Sequence, residues 1–103
     1  MTPLLKEVQL PYRYVQSVWL SRGSRILSAI NKHEEITLCV LEDCSSSLAD
    51  EWSIYQIRSG DDVKMPGRSE FISTVVLAGG YRVVSVFAVP PQTQIEGGEG
   101  SEP

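Results

Sequence analysis

Glu70-Phe71-Ile72-Ser73-Thr74-Val75-Val76-Leu77-Ala78-Gly79-Gly80-Tyr81-Arg82-Val83-Val84-Ser85-Val86-Phe87-Ala88-Val89 consists of two apolar, β-branched runs on either side of a glycine doublet. Tight hairpin turns that follow the twist of their strands need positive φ, which glycine adopts without steric cost. The stretch therefore predicts a carboxy-terminal β-hairpin with Gly79-Gly80 at its turn. Antiparallel pairing about that doublet sets Ala78 opposite Tyr81, Val76 opposite Val83, Thr74 opposite Ser85 and Ile72 opposite Phe87 on one face. Phe71, Val75, Leu77, Val84, Val86 and Ala88 fall on the other. Both faces are apolar, so a cover is expected for the second. Either a partner subunit supplies it, which predicts a homodimer or higher assembly, or the loops of residues 42–51 and 60–69 form a lid.

Upstream of the hairpin the apolar residues also follow a period of two. Leu4 to Leu10, closed by Pro11, and Tyr14 to Leu20 are the first two predicted strands, followed by a turn at Ser21-Arg22-Gly23-Ser24. Arg25 to Ile30 and Ile36 to Leu41 form a second hairpin around Asn31-Lys32-His33-Glu34. Residues 42–51 form a polar loop that can hold a short helical turn at Ser47 to Glu51. Trp52 to Arg58 is a further strand, closed by Ser59-Gly60-Asp61-Asp62. Six or seven short strands joined by loops predict an all-β domain, a small antiparallel β-sandwich or barrel.

The chain has 103 residues, 42% of them hydrophobic and 21% charged, which suits a single globular domain. That domain is expected over residues 1–89. Residues 90–103, rich in Pro, Gly and Glu, are expected to be a flexible acidic tail. The tail holds Glu96, Glu99 and Glu102 and no basic residue, so most of the net charge of −4 belongs to it. The remainder, with nine basic against ten acidic residues, carries no strong field toward nucleic acid. Apolar runs are far shorter than the roughly 20 residues of a membrane span, and the amino terminus lacks the pattern of a signal peptide. A cytoplasmic location without membrane association is expected.

The residue types that carry chemistry are sparse. Cys39 and Cys44 read as one buried and one loop thiol, and His33 as a turn residue beside Glu34 and Glu35. Three or four converging ligands for a metal are not apparent. Neither a phosphate-cradling loop, a dinucleotide fingerprint nor a nucleophile elbow is present. Asp50-Glu51 and Asp61-Asp62 read as solvated loop pairs. The chain is therefore expected to work without catalysis and without a cofactor. The residues suited to contact a partner are Trp19, Arg22, Arg25, Arg68, Tyr81 and Arg82, because arginine and large aromatics dominate binding surfaces. The same types also suit a nucleotide platform.

Several segments together resemble a group of short tailed-phage proteins of unknown function. They are Trp19 to Leu27, Ile36 to Asp43, Ser53 to Ile57, Phe71 to Val76 and Val84 to Phe87. That group carries a Pro-x-Gly-Ala-x-Ile-Leu turn and strand, an apolar strand ending in an acidic residue, a Tyr-Ile-Gly-Thr strand and a closing Trp-His-Val-Phe strand. The likeness spans about residues 8–89. Here Ser73 stands at the glycine and Val84-Ser85 at the Trp-His pair, so a site built on that histidine is missing. The resemblance implies a phage or prophage accessory protein acting in the bacterial cytoplasm. The corresponding expectation is a protein that binds and inhibits a host protein complex, such as a CRISPR-type defence nuclease. The alternatives are an oligomeric module that sequesters a nucleotide signal, and a structural virion component.

Overall fold

The computed structural model describes residues 3–91. It contains seven strands: β1 (Pro3–Leu10), β2 (Val15–Ser21), β3 (Arg25–Lys32), β4 (Glu35–Asp43), β5 (Ala49–Arg58), β6 (Glu70–Leu77) and β7 (Arg82–Val89). They form two antiparallel sheets, one ordered β1-β4-β3 and the other β2-β5-β7-β6. The fold is thus all-β, and the two-sheet arrangement makes it a sandwich. No helix among the described residues is long and apolar enough to cross a membrane.

The core follows from the period-two pattern. Ile36, Leu38 and Val40 on β4 face Leu20, Ile54, Val84 and Val86 from the other sheet, and all are buried. Burial of each such side chain contributes roughly 1.5–3 kcal/mol, which makes this inner layer the main source of stability. Along one side of the sandwich, the Asn31 amide of β3 donates to the Val76 carbonyl of β6 at 2.9 Å, tying two sheet edges together.

The carboxy-terminal hairpin is present, with two differences from the expected register. Val76 pairs with Val83 and Thr74 with Ser85 as predicted, but the ladder ends at Leu77–Arg82. Ala78 to Tyr81 form the connection, a single 3-10 turn in which Ala78, Gly79 and Gly80 all have positive φ. Alanine pays about 1–2 kcal/mol for that conformation. A 2.6 Å hydrogen bond from the Ala78 backbone N–H to the Glu34 carboxylate helps offset the cost. The second difference is a bulge at Ile72, which sets Phe71 rather than Ile72 opposite Phe87. The extra residue exchanges the two faces beyond it. Ile72 consequently packs on the core, while Phe71 turns outward.

The expected lid is absent: Phe71, Val76 and Val83 on the outer face of the hairpin are exposed, so neither the 42–51 nor the 60–69 loop covers them. Nor is Ser47 to Glu51 helical. β5 begins at Ala49, because Ala49 and Asp50 pair with Ser21 and Leu20 of β2. The β3–β4 hairpin occurs where expected, its turn narrowed to His33 and Glu34, both at positive φ. Cys39 is half-buried and Cys44 exposed, both as free thiols. Of the expected tail, Pro90 and Pro91 are described; residues 92–103 lie outside the described residues.

Gly23, in the β2–β3 turn, has φ +92, and a Cβ there would lie 2.7 Å from the Asp43 carboxylate. Gly23→Ala is expected to lower unfolding free energy by about 1–3 kcal/mol in urea denaturation. Gly67→Ala meets no atom within 4 Å. It should be neutral or stabilising by about 0.4–1 kcal/mol. Equal effects for the two would show that the turn does not require glycine.

Candidate functional site

The sheet register assembles one apolar row on the outer face of the four-stranded sheet. Val15 pairs with Tyr55, Tyr55 with Phe87, and Phe87 with Phe71, so the row crosses β2, β5, β7 and β6. Phe71 and Phe87 meet edge to face with ring centroids 5.5 Å apart, and Tyr14 meets Tyr55 in the same manner at 5.8 Å. Phe71 is 59% exposed and Val76 51%. Isolated exposed apolar residues are ordinary on protein surfaces, whereas a run spanning every strand of a sheet is a feature of interfaces.

Three of the six residues expected to contact a partner gather at one end of this sheet. Trp19 on β2, Arg22 in the β2–β3 turn and Arg68 in the β5–β6 loop line a groove of about 310 Å³, floored by Asp50 and closed by Pro90 and Pro91. Trp19 is 63% exposed. Arg22 is not a simple surface cation. Its Nε and a terminal nitrogen donate to the Asp50 carboxylate at 2.9–3.3 Å. Asp50 is 4% exposed, on the inward side of β5. The expectation that Asp50 is a solvated loop residue is therefore corrected: its charge is held in the protein by that guanidinium. Glu51 next to it faces outward and accepts a hydrogen bond from Ser17.

The other three predicted residues lie elsewhere. Tyr81 and Arg82 belong to the β6–β7 connection and the start of β7, at the opposite end of the strands from Trp19. Arg25 starts β3 in the other sheet, opposite Leu41. No single surface therefore unites all six.

Around Arg82 the fold builds a second cluster. The guanidinium groups of Arg82 and Arg58 each lie 5.8 Å from the centroid of the Tyr12 ring, within cation–π range. Glu34 from the β3–β4 turn comes close to this end, held by the Ala78 N–H and the Asn31 amide. Those two hydrogen bonds, in that order, hold its carboxyl below the usual carboxylate range. The link between the two turns is accordingly strongest above that range and is lost as pH falls through the lowered value. Arg58 and Gln56 drew no attention as site residues in the sequence. The alternation Trp52, Ile54, Gln56 already placed an amide in an inward row, and an inward amide needs partners. Arg58 carried no comparable signal, because its proximity to Tyr12 arises from pairing between distant segments.

No family model matches the chain, and neither the curated proteins nor the solved structures provide a match.

Proposed function

We propose that this protein is a non-catalytic binding protein whose contact surface is the outer face of the four-stranded sheet. The observation that carries the reading is the Val15–Tyr55–Phe87–Phe71 row, an aromatic and aliphatic strip crossing all four strands, with Val15 and Phe71 exposed at its ends and Tyr55 and Phe87 half-buried between them. Trp19 and Arg68 stand at one end of the face, and large aromatics and arginines of this kind supply most of the energy at protein interfaces. The partner is a host protein complex, and the action is stoichiometric blockade of that complex by a phage-encoded accessory protein. A defence nuclease complex is the class of target proposed. Blockade needs a complementary surface and no reaction.

The double variant Phe71→Glu/Val76→Glu tests the reading. Both sites are exposed, so Val76→Glu should cost about 0.5 kcal/mol and Phe71→Glu, which also loses the Phe87 ring contact, about 0.5–1.5 kcal/mol, leaving the variant folded. Capture on the purified nuclease complex should recover the wild-type protein at a fixed stoichiometry and the double variant not at all. Undiminished capture of the variant would remove the face from the contact. Failure of the wild type to bind or inhibit would remove this class of partner. Sedimentation of the same two proteins reads self-association: a dimer in the wild type and a monomer in the variant would identify a second copy as the cover of this face.

A further inference from the structure

A cleft of about 430 Å³ opens between the two sheets at the end that carries the β3–β4 and β6–β7 turns. Its volume lies in the range of small-molecule sites. The walls include Leu10, Ile36 and Leu77, all apolar and buried. Gln56 of β5 also lines it, with no solvent exposure. The Gln56 amide nitrogen donates to the Pro11 carbonyl at 3.0 Å, which orients the side chain. Its Oε1 receives no hydrogen bond from the described residues. An enclosed carbonyl oxygen without a donor costs free energy, and a ligand N–H that reached it from the cleft would remove that cost.

The mouth has the opposite character. Tyr12 and Arg82 line it, and Arg82 is shared with an adjoining hollow of about 240 Å³ that also contains Arg58 and Ser59. Among the described residues Arg82 forms no ion pair, and Arg58 reaches Asp61 only at 3.7 Å. Both guanidinium groups lie near the Tyr12 ring and border the same hollow, and guanidinium donors are the side-chain type best suited to phosphate oxygens. The exposed carboxylates of Glu34 and Glu35 also line the cleft, and Glu34 interacts electrostatically with Arg82, so an anion is disfavoured inside it and a bound phosphate is directed outward to the hollow beside Arg58.

We propose that this end of the sandwich binds a nucleoside monophosphate, with an N–H edge of the base against Gln56 Oε1 and the phosphate between Arg58 and Arg82. The apolar walls then enclose the faces of the base, and Tyr12 stands between the base and phosphate subsites. A simple anion would leave the Gln56 acceptor unmet, and an uncharged amide would leave both arginines unused. The site borders the outer sheet face at Val83 but includes neither Phe71 nor Val76, so the variant that tests the protein-binding reading leaves its lining intact and the two readings can fail separately.

The test is isothermal titration calorimetry of the full chain with AMP, CMP, GMP and UMP, alongside the four nucleosides and inorganic phosphate. At least one monophosphate should bind about tenfold or more tightly than both its nucleoside and phosphate alone. Gln56→Leu should weaken that monophosphate by about tenfold or more, the effect of leaving one N–H unpaired. Arg82→Ala, at an exposed position, should lower its affinity to that of the nucleoside with the melting temperature unchanged. Three results would each overturn the proposal: no heat with any monophosphate up to ~1 mM, equal affinity for inorganic phosphate, or full affinity in a folded Arg82→Ala protein.

Discussion

Leu38→Ala is expected to lower the free energy of unfolding by about 3–4 kcal/mol, and the melting temperature by roughly 12–24 °C. Leu38 has no solvent exposure and occupies the middle strand of the three-stranded sheet, between Val8 of β1 and Ala29 of β3. Removing three carbons there loses their transfer energy and leaves a cavity. Ala29 is too short to fill it, and the ladders on both sides restrain β4 from moving inward. The lost energy is a large share of the ~5–15 kcal/mol that holds a domain of this size. Urea denaturation of Leu38→Ala beside Leu27→Ala measures the effect, because Leu27 projects into solvent at a bulge and should cost no more than about 0.5 kcal/mol. Similar losses at the two positions would mean that the inner layer does not dominate stability.

Arg22→Ala should destabilise the protein by about 2–3 kcal/mol. A fully buried ion pair that loses one member costs roughly 3–5 kcal/mol, and the half-exposed Arg22 side chain lets water recover part of that. The loss arises at Asp50, whose carboxylate stays in the protein interior after its guanidinium partner is removed. The double variant Arg22→Ala/Asp50→Ala should therefore be more stable than Arg22→Ala alone, since no buried charge remains. Additive losses in that cycle would show that the two side chains act separately. The same pair changes how Arg22 can be used as a probe: lost partner binding on its replacement reports the fold as well as the surface, whereas Arg68 tests the surface alone.

Much of the architecture was legible in short windows. Alternating Val, Ile and Leu marked every strand. Gly23, the His33 turn and the Gly79-Gly80 doublet marked connections, because each of these places needs backbone angles that few residues adopt cheaply. The two bulges were not legible. Leu27 and Ile72 are ordinary strand residues, and an extra residue in a ladder is defined only against the strand it faces. That one insertion moved Phe71 from the face expected to hold Val75 and Leu77 to the exposed row. The six candidate contact residues show the same limit. Residue type alone picked them, and the register then placed Trp19, Arg22 and Arg68 around one groove, Tyr81 and Arg82 at the far end, and Arg25 on the other sheet.

Strand identity, turn position and the all-β class are properties of neighbouring residues, so the order of amino acids was enough to specify them. Which strands pair, which apolar side chains remain in water and which polar groups are enclosed came only with the folded chain. The cost or benefit of a buried charge or amide depends on partners remote in sequence: Asp50 is held from 28 residues away, and Gln56 from 45. Those long-range meetings create both the groove beside Trp19 and the cleft lined by Gln56, since a site is a relation between segments that only close packing brings together.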